Sequence, residues 1–128
     1  MSRPPFVEGE ATRRAIYIAE SVGAPLFVVH ITCEEAVDAV AEARARKSKV
    51  YGETCTQYLI TTKEKLADPD FNESAKYVCS PALRDEKHQA VLWESLNNGI
   101  LSAIVSDHCG IDLKELKQVG RDDFTKIP

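Results

Sequence analysis

The chain has 128 residues, of which 44% are hydrophobic and 28% are charged, the composition of a soluble packed protein. Because this length is typical of one domain, we expect residues 1–128 to form a single unit. The net charge of -4 argues against binding to nucleic acid, whose phosphates attract basic proteins. No apolar run approaches the roughly 20 residues of a membrane-spanning helix, and the N-terminus has no signal-peptide pattern. We therefore expect a cytoplasmic protein without a membrane partner.

The four cysteines are widely spaced. Cys33, Cys55, Cys79 and Cys109 lie 22, 24 and 30 residues apart, without the close pairs that structural zinc sites and redox motifs use. We expect reduced thiols rather than disulfides, as is usual in the cytoplasm.

The chain opens with a predicted helix followed by a predicted strand. Apolar residues recur at helical spacing over residues 8–22, and Gly23 ends that pattern. The unbroken apolar run at residues 24–29 is typical of a parallel strand that is covered on both faces.

A second helix and a second strand are predicted next. Thr32 is a candidate N-cap, with Glu35 completing a capping box, for a helix that runs to about residue 47. A short strand is predicted at residues 49–53, and residues 57–60 extend either the sheet or the loop after it.

Turn residues separate these elements from the second half of the chain. Proline and small polar residues at 68–72 predict a turn, and residues 77–81 predict a brief extended segment. Asp85 is a candidate N-cap for a helix that ends near residue 97, and residues 100–105 form another apolar strand. The inward face of that helix is predicted to comprise Val91, Leu92 and Leu96.

Helices that alternate with short buried strands predict an α/β fold with a parallel sheet. The sheet is either a piece of a barrel or a small doubly wound domain. A flavodoxin-like nucleotide binder is disfavoured, because the sequence has no glycine-rich phosphate loop.

Two predicted strands end in residues that bind metals or move protons. His30 follows the first apolar run, and Asp107 follows the last. Since the carboxyl ends of parallel strands meet at one edge of a sheet, both side chains are candidates for one pocket. Imidazole and carboxylate are ordinary zinc ligands, but a His or Asp at a strand end also caps turns. Spacing alone favours the structural alternative.

Seven sequence blocks, taken in order, resemble the hydantoinases and dihydropyrimidinases, which are cyclic amidohydrolases. The blocks are Ser2-Arg3-Pro4-Pro5, Glu8-Gly9-Glu10-Ala11-Thr12, Val28-Val29-His30, Tyr51-Gly52-Glu53-Thr54-Cys55, Tyr77-Val78-Cys79-Ser80-Pro81 with Leu83-Arg84, Ser106-Asp107-His108-Cys109, and residues 120–128. One block would be weak support, whereas the ordered set is specific.

The resemblance implies roles for three residues. His30 matches the last histidine ligand of a binuclear metal centre, and Asp107 matches the aspartate that binds one metal and shuttles a proton to the leaving nitrogen. Ser80 matches a serine whose main chain holds the imide of the cyclic substrate. The implied cofactors are two divalent metal ions, zinc by resemblance, and the implied substrates are small cyclic imides or ureides such as hydantoins and dihydropyrimidines.

The resemblance also implies that the chain carries only part of this site. The family's metal site also uses a His-X-His pair, a bridging carboxylated lysine and a further histidine. None of these has a match here, and the sequence has only three histidines and no His-X-His pair. We therefore expect roughly the second half of a (β/α)₈ barrel, which is inactive alone and associates with itself or with a complementary chain. The alternative is a non-catalytic half-barrel module like the collapsin response mediators.

The remaining polar and aromatic candidates are predicted to be structural. His88 is expected on a solvated helix face, and His108 is expected to support the site rather than to bind metal. Trp93 and Tyr77 are predicted core or interface aromatics, and Glu53 is expected to make a structural hydrogen bond rather than face a pocket.

Overall fold

The computed structural model describes residues 3–127, so that Ser2 and Pro128 of the blocks above lie outside it. Its α-helices and β-strands run in the order α1 Pro5–Ser21, β1 Leu26–Val28, α2 Glu34–Ala45, β2 Val50–Cys55, α3 Thr56–Ile60, α4 Phe71–Ala75, α5 Glu86–Asn97 and β3 Ala103–Val105. Short 3-10 helices occupy Lys63–Ala67, Lys117–Gly120 and Phe124–Lys126.

The first helix confirms the prediction from periodicity and begins three residues earlier, at Pro5. Proline suits the first position of a helix, where its missing N–H has no partner to lose. The helix ends before Gly23, whose φ of +68° is a conformation that glycine adopts without strain.

The three strands form one parallel sheet in the order β1-β2-β3. Leu26 pairs with Val50, and Cys55 pairs with Val105, so β1 lies along the first half of β2 and β3 along the second. The sequence predicted all three strands. The two outer strands are shorter than expected, because each pairs with β2 over only three residues.

The helices cover one face of this sheet and leave the other open. Helix α2 packs between α1 and α5 and against β2, and a Cβ on Gly52 would lie 3.6 Å from the side chain of Val40 on α2. On the opposite face, Phe27 and Tyr51 are 48% and 47% exposed. The prediction that β1 is covered on both faces was therefore wrong, because no element among residues 3–127 packs on the second face.

The capping box predicted for α2 was also wrong. The N-cap of α2 is Cys33, without a side-chain capping bond. The hydroxyl of Thr32 instead donates to Glu8 and accepts from Arg84 Nε at 2.9 Å. Two charged side chains that are distant in the sequence, Glu8 and Arg84, thus bind the hydroxyl that a local capping bond would have used.

His88 is buried at 1% exposure, so the prediction of a solvated side chain was wrong. Its Nδ1 accepts the backbone N–H of Glu34, at 3.1 Å, in the first turn of α2. The free N–H groups of a helix start require acceptors, and here a neighbouring helix supplies one. This is a tertiary contact that periodicity does not reveal.

His88 makes stability sensitive to mild acid. Burial lowers its pKa from the ordinary 6.5, although the Glu35 carboxylate opposes this. The unfolded chain therefore binds the proton more readily, and the free energy of unfolding should fall as pH falls through about 6.5. Urea unfolding at about one pH unit on either side of that value measures the slope. His88→Gln should flatten the slope and the exposed control His108→Gln should not; equal slopes in both variants would exclude His88 as the cause.

The middle of the chain contains two helices that the sequence did not predict. Residues 57–60 lie in helix α3 and do not extend the sheet. The turn at Asp70 continues into α4, because its side chain accepts the N–H of Asn72. Residues 77–81 form no strand. Asp85 is the N-cap of α5 as predicted, but its carboxylate pairs with Lys63 and makes no capping bond.

Two other predictions concern the cysteines and the membrane. All four thiols are free, which confirms that none forms a disulfide. Within residues 3–127, every helix falls short of the length and apolar character needed to cross a bilayer.

Candidate functional site

His30 and Asp107 occupy equivalent positions at the carboxyl edge of the sheet. Each lies two residues beyond the end of its strand, His30 after β1 and Asp107 after β3. Because β1 and β3 flank β2, one strand lies between His30 and Asp107. His30 is half-buried and Asp107 is exposed. The structure places both residues on the edge where the sequence predicted them.

Both residues adopt a backbone conformation that costs energy for a side chain with a Cβ. The φ angles are +43° at His30 and +47° at Asp107. Lys47 also has a positive φ, but it directly follows the last turn of α2, where such residues are common. Strained residues persist where their side chains must point in a set direction, and they cluster at functional sites. Arg3, near the start of the chain, also has a positive φ, of +58°, so the strain is not confined to His30 and Asp107. These two residues nevertheless share it at the carboxyl edge of the sheet, where the sequence pattern places them.

The strand between these two residues ends in a neutral side chain. Cys55 ends β2, the strand between them, and is completely buried. Burial, reinforced by the negative charges of Asp107 and Glu53, raises the pKa of the Cys55 thiol to about 12. The thiol therefore stays protonated at neutral pH.

Ser80 lies in the irregular segment between α4 and α5, and several contacts hold that segment. The guanidinium of Arg3 donates to Ser80 Oγ at 2.6 Å. The hydroxyl of Tyr58 donates to the carbonyl of Pro81 at 2.8 Å. On the other side, the buried ammonium of Lys117 donates to the carbonyls of Ala75 and Val78, both at 2.8 Å. The backbone around Ser80 is thus fixed from both directions.

The donor set fits a metal centre in kind but not in number. An imidazole nitrogen and a carboxylate oxygen suit a divalent ion such as zinc. Among residues 3–127, however, no three His, Cys, Asp or Glu side chains come close enough to bind one ion together. His30 and Asp107 would therefore supply only part of the coordination shell of a metal ion, and other groups would have to supply the remaining ligands.

Sequence reasoning missed one group of residues beside this edge, the cluster of Glu8, Thr32 and Arg84. The Arg84 guanidinium and the Glu8 carboxylate form an ion pair at 2.9 Å, with side-chain exposures of only 5% and 17%. The capping-box pattern singled out Thr32, but with Glu35 as its partner in place of Glu8 and Arg84.

Glu53 was expected to make a structural hydrogen bond through its side chain. In the structure its main-chain carbonyl accepts the N–H of Ile31.

Other features lie away from this edge. A surface groove runs along α1 and is lined by Phe6, Arg13 and Tyr17 among others, on the helical side of the sheet. Of the predicted core aromatics, Tyr77 packs partly against the core, whereas Trp93 is half-exposed and donates its indole N–H to the carbonyl of Leu59.

Comparison with known proteins finds relatives along the whole chain. D-hydantoinase from Geobacillus stearothermophilus is 52% identical over 128 residues, and dihydropyrimidinase from Arabidopsis thaliana is 44% identical over 128 residues. The crystal structure of dihydropyrimidinase from Brevibacillus agri superposes with a TM-score of 0.96 at 53% identity, over 98% of this chain. The chain is therefore similar over its whole length to a segment of hydantoinases and dihydropyrimidinases. No family model matches it.

The chain spans only part of these relatives. It covers 27% of the Geobacillus hydantoinase, 24% of the Arabidopsis dihydropyrimidinase and 27% of the Brevibacillus structure. An L-hydantoinase from Arthrobacter aurescens shares the fold at a TM-score of 0.82 and 30% identity, over 96% of this chain. The fold of this segment is therefore retained in a relative that is named an L-hydantoinase, whereas the Geobacillus relative is named a D-hydantoinase.

Proposed function

We propose that this chain forms part of the catalytic barrel of a cyclic amidohydrolase, which hydrolyses the ring amide of hydantoins or dihydropyrimidines. The observation that carries the proposal is that the two residues matched to the family's metal site have the same strained backbone at the same sheet edge. The hydantoinase and dihydropyrimidinase names of the relatives support the reaction class. A cytoplasmic location is part of this proposal.

A partial (β/α)₈ barrel is the architecture that this arrangement favours, with residues 1–128 as one unit within it. In a barrel, successive parallel strands are neighbours and all helices lie outside. The order β1-β2-β3, with helices on one face and an open second face, follows that pattern. A doubly wound domain would place helices on both faces. The half-exposed Phe27 and Tyr51 would then point into the barrel interior.

We propose a separate role for each site residue. His30 holds a metal ion through its imidazole, and Asp107 both contributes a ligand oxygen and takes a proton from the attacking water, which it returns to the leaving nitrogen. The main chain at Ser80 orients the imide of the ring. Two divalent ions, zinc by resemblance, would polarise the amide carbonyl and acidify the attacking water when bound.

The 128-residue chain should be catalytically incompetent by itself, because two ligands do not hold a binuclear centre. It should also associate with a second copy or with a complementary chain, since the open sheet face exposes Phe27, Val29 and Tyr51 to water. The retained His30 and Asp107 favour an enzyme over a non-catalytic module related to the collapsin response mediators.

A chimera tests the proposed function. The corresponding segment of the Geobacillus D-hydantoinase is replaced by this chain, which aligns with it over all 128 residues. We expect the chimera to be metal-dependent and to hydrolyse hydantoin or dihydrouracil with kcat within about tenfold of the parent enzyme. A correctly folded chimera that binds metal but has no activity would contradict the proposal. The 128-residue chain alone, assayed in parallel, should be inactive.

A further inference from the structure

Glu8, Thr32 and Arg84 form a closed hydrogen-bonded cluster, here called the Glu8 cluster. The Glu8 carboxylate accepts the backbone N–H of Thr32 at 2.8 Å, the hydroxyl of Thr32, and Arg84 Nη2 at 2.9 Å. Arg84 Nε donates back to the Thr32 hydroxyl at 2.9 Å. Each group therefore contacts the other two, and Thr32 is fully buried.

This cluster connects the two loops that carry the proposed site residues. Thr32 lies two residues after His30, and Arg84 lies four residues after Ser80. Arg84 Nη1 also donates to the carbonyl of Arg3 at 2.7 Å, and the guanidinium of Arg3 donates to Ser80 Oγ at 2.6 Å. A continuous path of hydrogen bonds thus runs from the loop after β1 to Ser80.

We propose that Glu8, Thr32 and Arg84 are positioning residues, which fix the loop that carries His30 relative to the loop that carries Ser80. This inference rests on the proposed function, because it concerns the distance between a metal ligand and the main chain that holds the substrate. The segment around Ser80 has no regular secondary structure, so its position depends on such contacts. A shift of about 1 Å in a substrate-holding group can lower the rate about a hundredfold.

The chemistry of the cluster suits this role. The planar guanidinium of Arg84 binds Thr32 and Glu8 through different nitrogens, which sets direction as well as distance. Charge-assisted hydrogen bonds of this kind are stronger than neutral ones, and low exposure keeps water from competing. A purely structural ion pair would stabilise the fold without affecting the kinetics of the folded enzyme.

The kinetic test uses the chimera described above. Thr32→Val removes the hydroxyl at constant shape, and we expect kcat to fall and KM to rise, with kcat/KM at least about tenfold lower. Thr32→Ser keeps the hydroxyl and should restore both parameters. Arg13→Met is the control, because the half-exposed Arg13 forms an ion pair with Glu42 between α1 and α2, outside the Glu8 cluster. Wild-type kcat and KM in folded Thr32→Val, or equal losses in Arg13→Met, would overturn the proposal.

A second test needs no activity. Amide hydrogen exchange of the 128-residue chain is compared between the unmodified protein, Thr32→Val and Arg84→Lys. If the cluster joins the loops, Thr32→Val speeds exchange at residues 78–82, and Arg84→Lys speeds exchange at residues 30–34. Effects confined to the loop that carries the substitution would overturn the proposal. An inactive chimera would count against the proposed function, and exchange would then decide on the cluster by itself.

Discussion

Replacing Asp107 by asparagine in the chimera should lower kcat about a thousandfold, because general acid-base groups contribute about 10²- to 10⁴-fold to a rate. Asparagine has the shape of aspartate but cannot take up the proton from the attacking water. Asparagine also tolerates a positive φ, such as the +47° of Asp107, better than most residues do. The variant should therefore fold normally, and the loss should appear in steady-state kinetics alone.

The matched control is Asp38→Asn, which makes the same chemical change at an exposed position on α2. It should leave kcat and KM unchanged. Circular dichroism and thermal melting separate loss of chemistry from loss of fold. An Asp107→Asn variant that keeps more than about a tenth of the parent kcat would show that the proton is carried by another group.

Replacing Gly9 by valine should lower the free energy of unfolding by about 3 kcal/mol, the upper end of the usual cost of overpacking. Gly9 lies where α1 crosses α2. A Cβ there would lie 2.6 Å from Cβ of Glu35 and 3.0 Å from its carbonyl carbon. Backbone atoms cannot rotate away as a side chain can, so the two helices must separate. Urea unfolding of the 128-residue chain measures the loss.

Ala11→Val is the control for that substitution. Ala11 is exposed on the same helix, so valine there should cost only its lower helix propensity, below about 1 kcal/mol. A similar loss in both variants would mean that the β-branched side chain, rather than the crossing of α1 and α2, is responsible. Separation of the helices would also draw Glu8 away from Thr32, so Gly9→Val should speed amide exchange at residues 30–34.

Local sequence patterns predicted the helices and strands better than they predicted which parts of the chain pack against them. The apolar spacing in α1 and the continuous apolar runs of β1 and β3 identified their elements, because burial of one helix face imposes a helical period and strands of a parallel sheet favour continuous apolar residues. The same runs could not report whether a second layer packs on the sheet. That depends on residues distant in the chain, and Phe27 and Tyr51 remain half-exposed here.

The candidate site shows the same division. His30 and Asp107 could be proposed from the sequence, because each follows an apolar strand and lies in a block that resembles the family. Nothing in the sequence alone indicated that both would have a positive φ. The Glu8 cluster was also missed, since its members are separated by 24 and 52 residues and form no local motif.

The sequence by itself determined the α/β class, the presence of the first helix, the N-cap at Asp85, the free thiols and the resemblance to hydantoinases and dihydropyrimidinases, because these depend on local periodicity, residue spacing and ordered blocks. Only the tertiary structure decided where the long-range polar groups go. It buried His88 against the start of α2, paired Thr32 with Glu8 and Arg84, and left one face of the sheet open. The physical reason is that a buried polar group takes whichever partner the packing brings within reach, and packing is set by the whole fold.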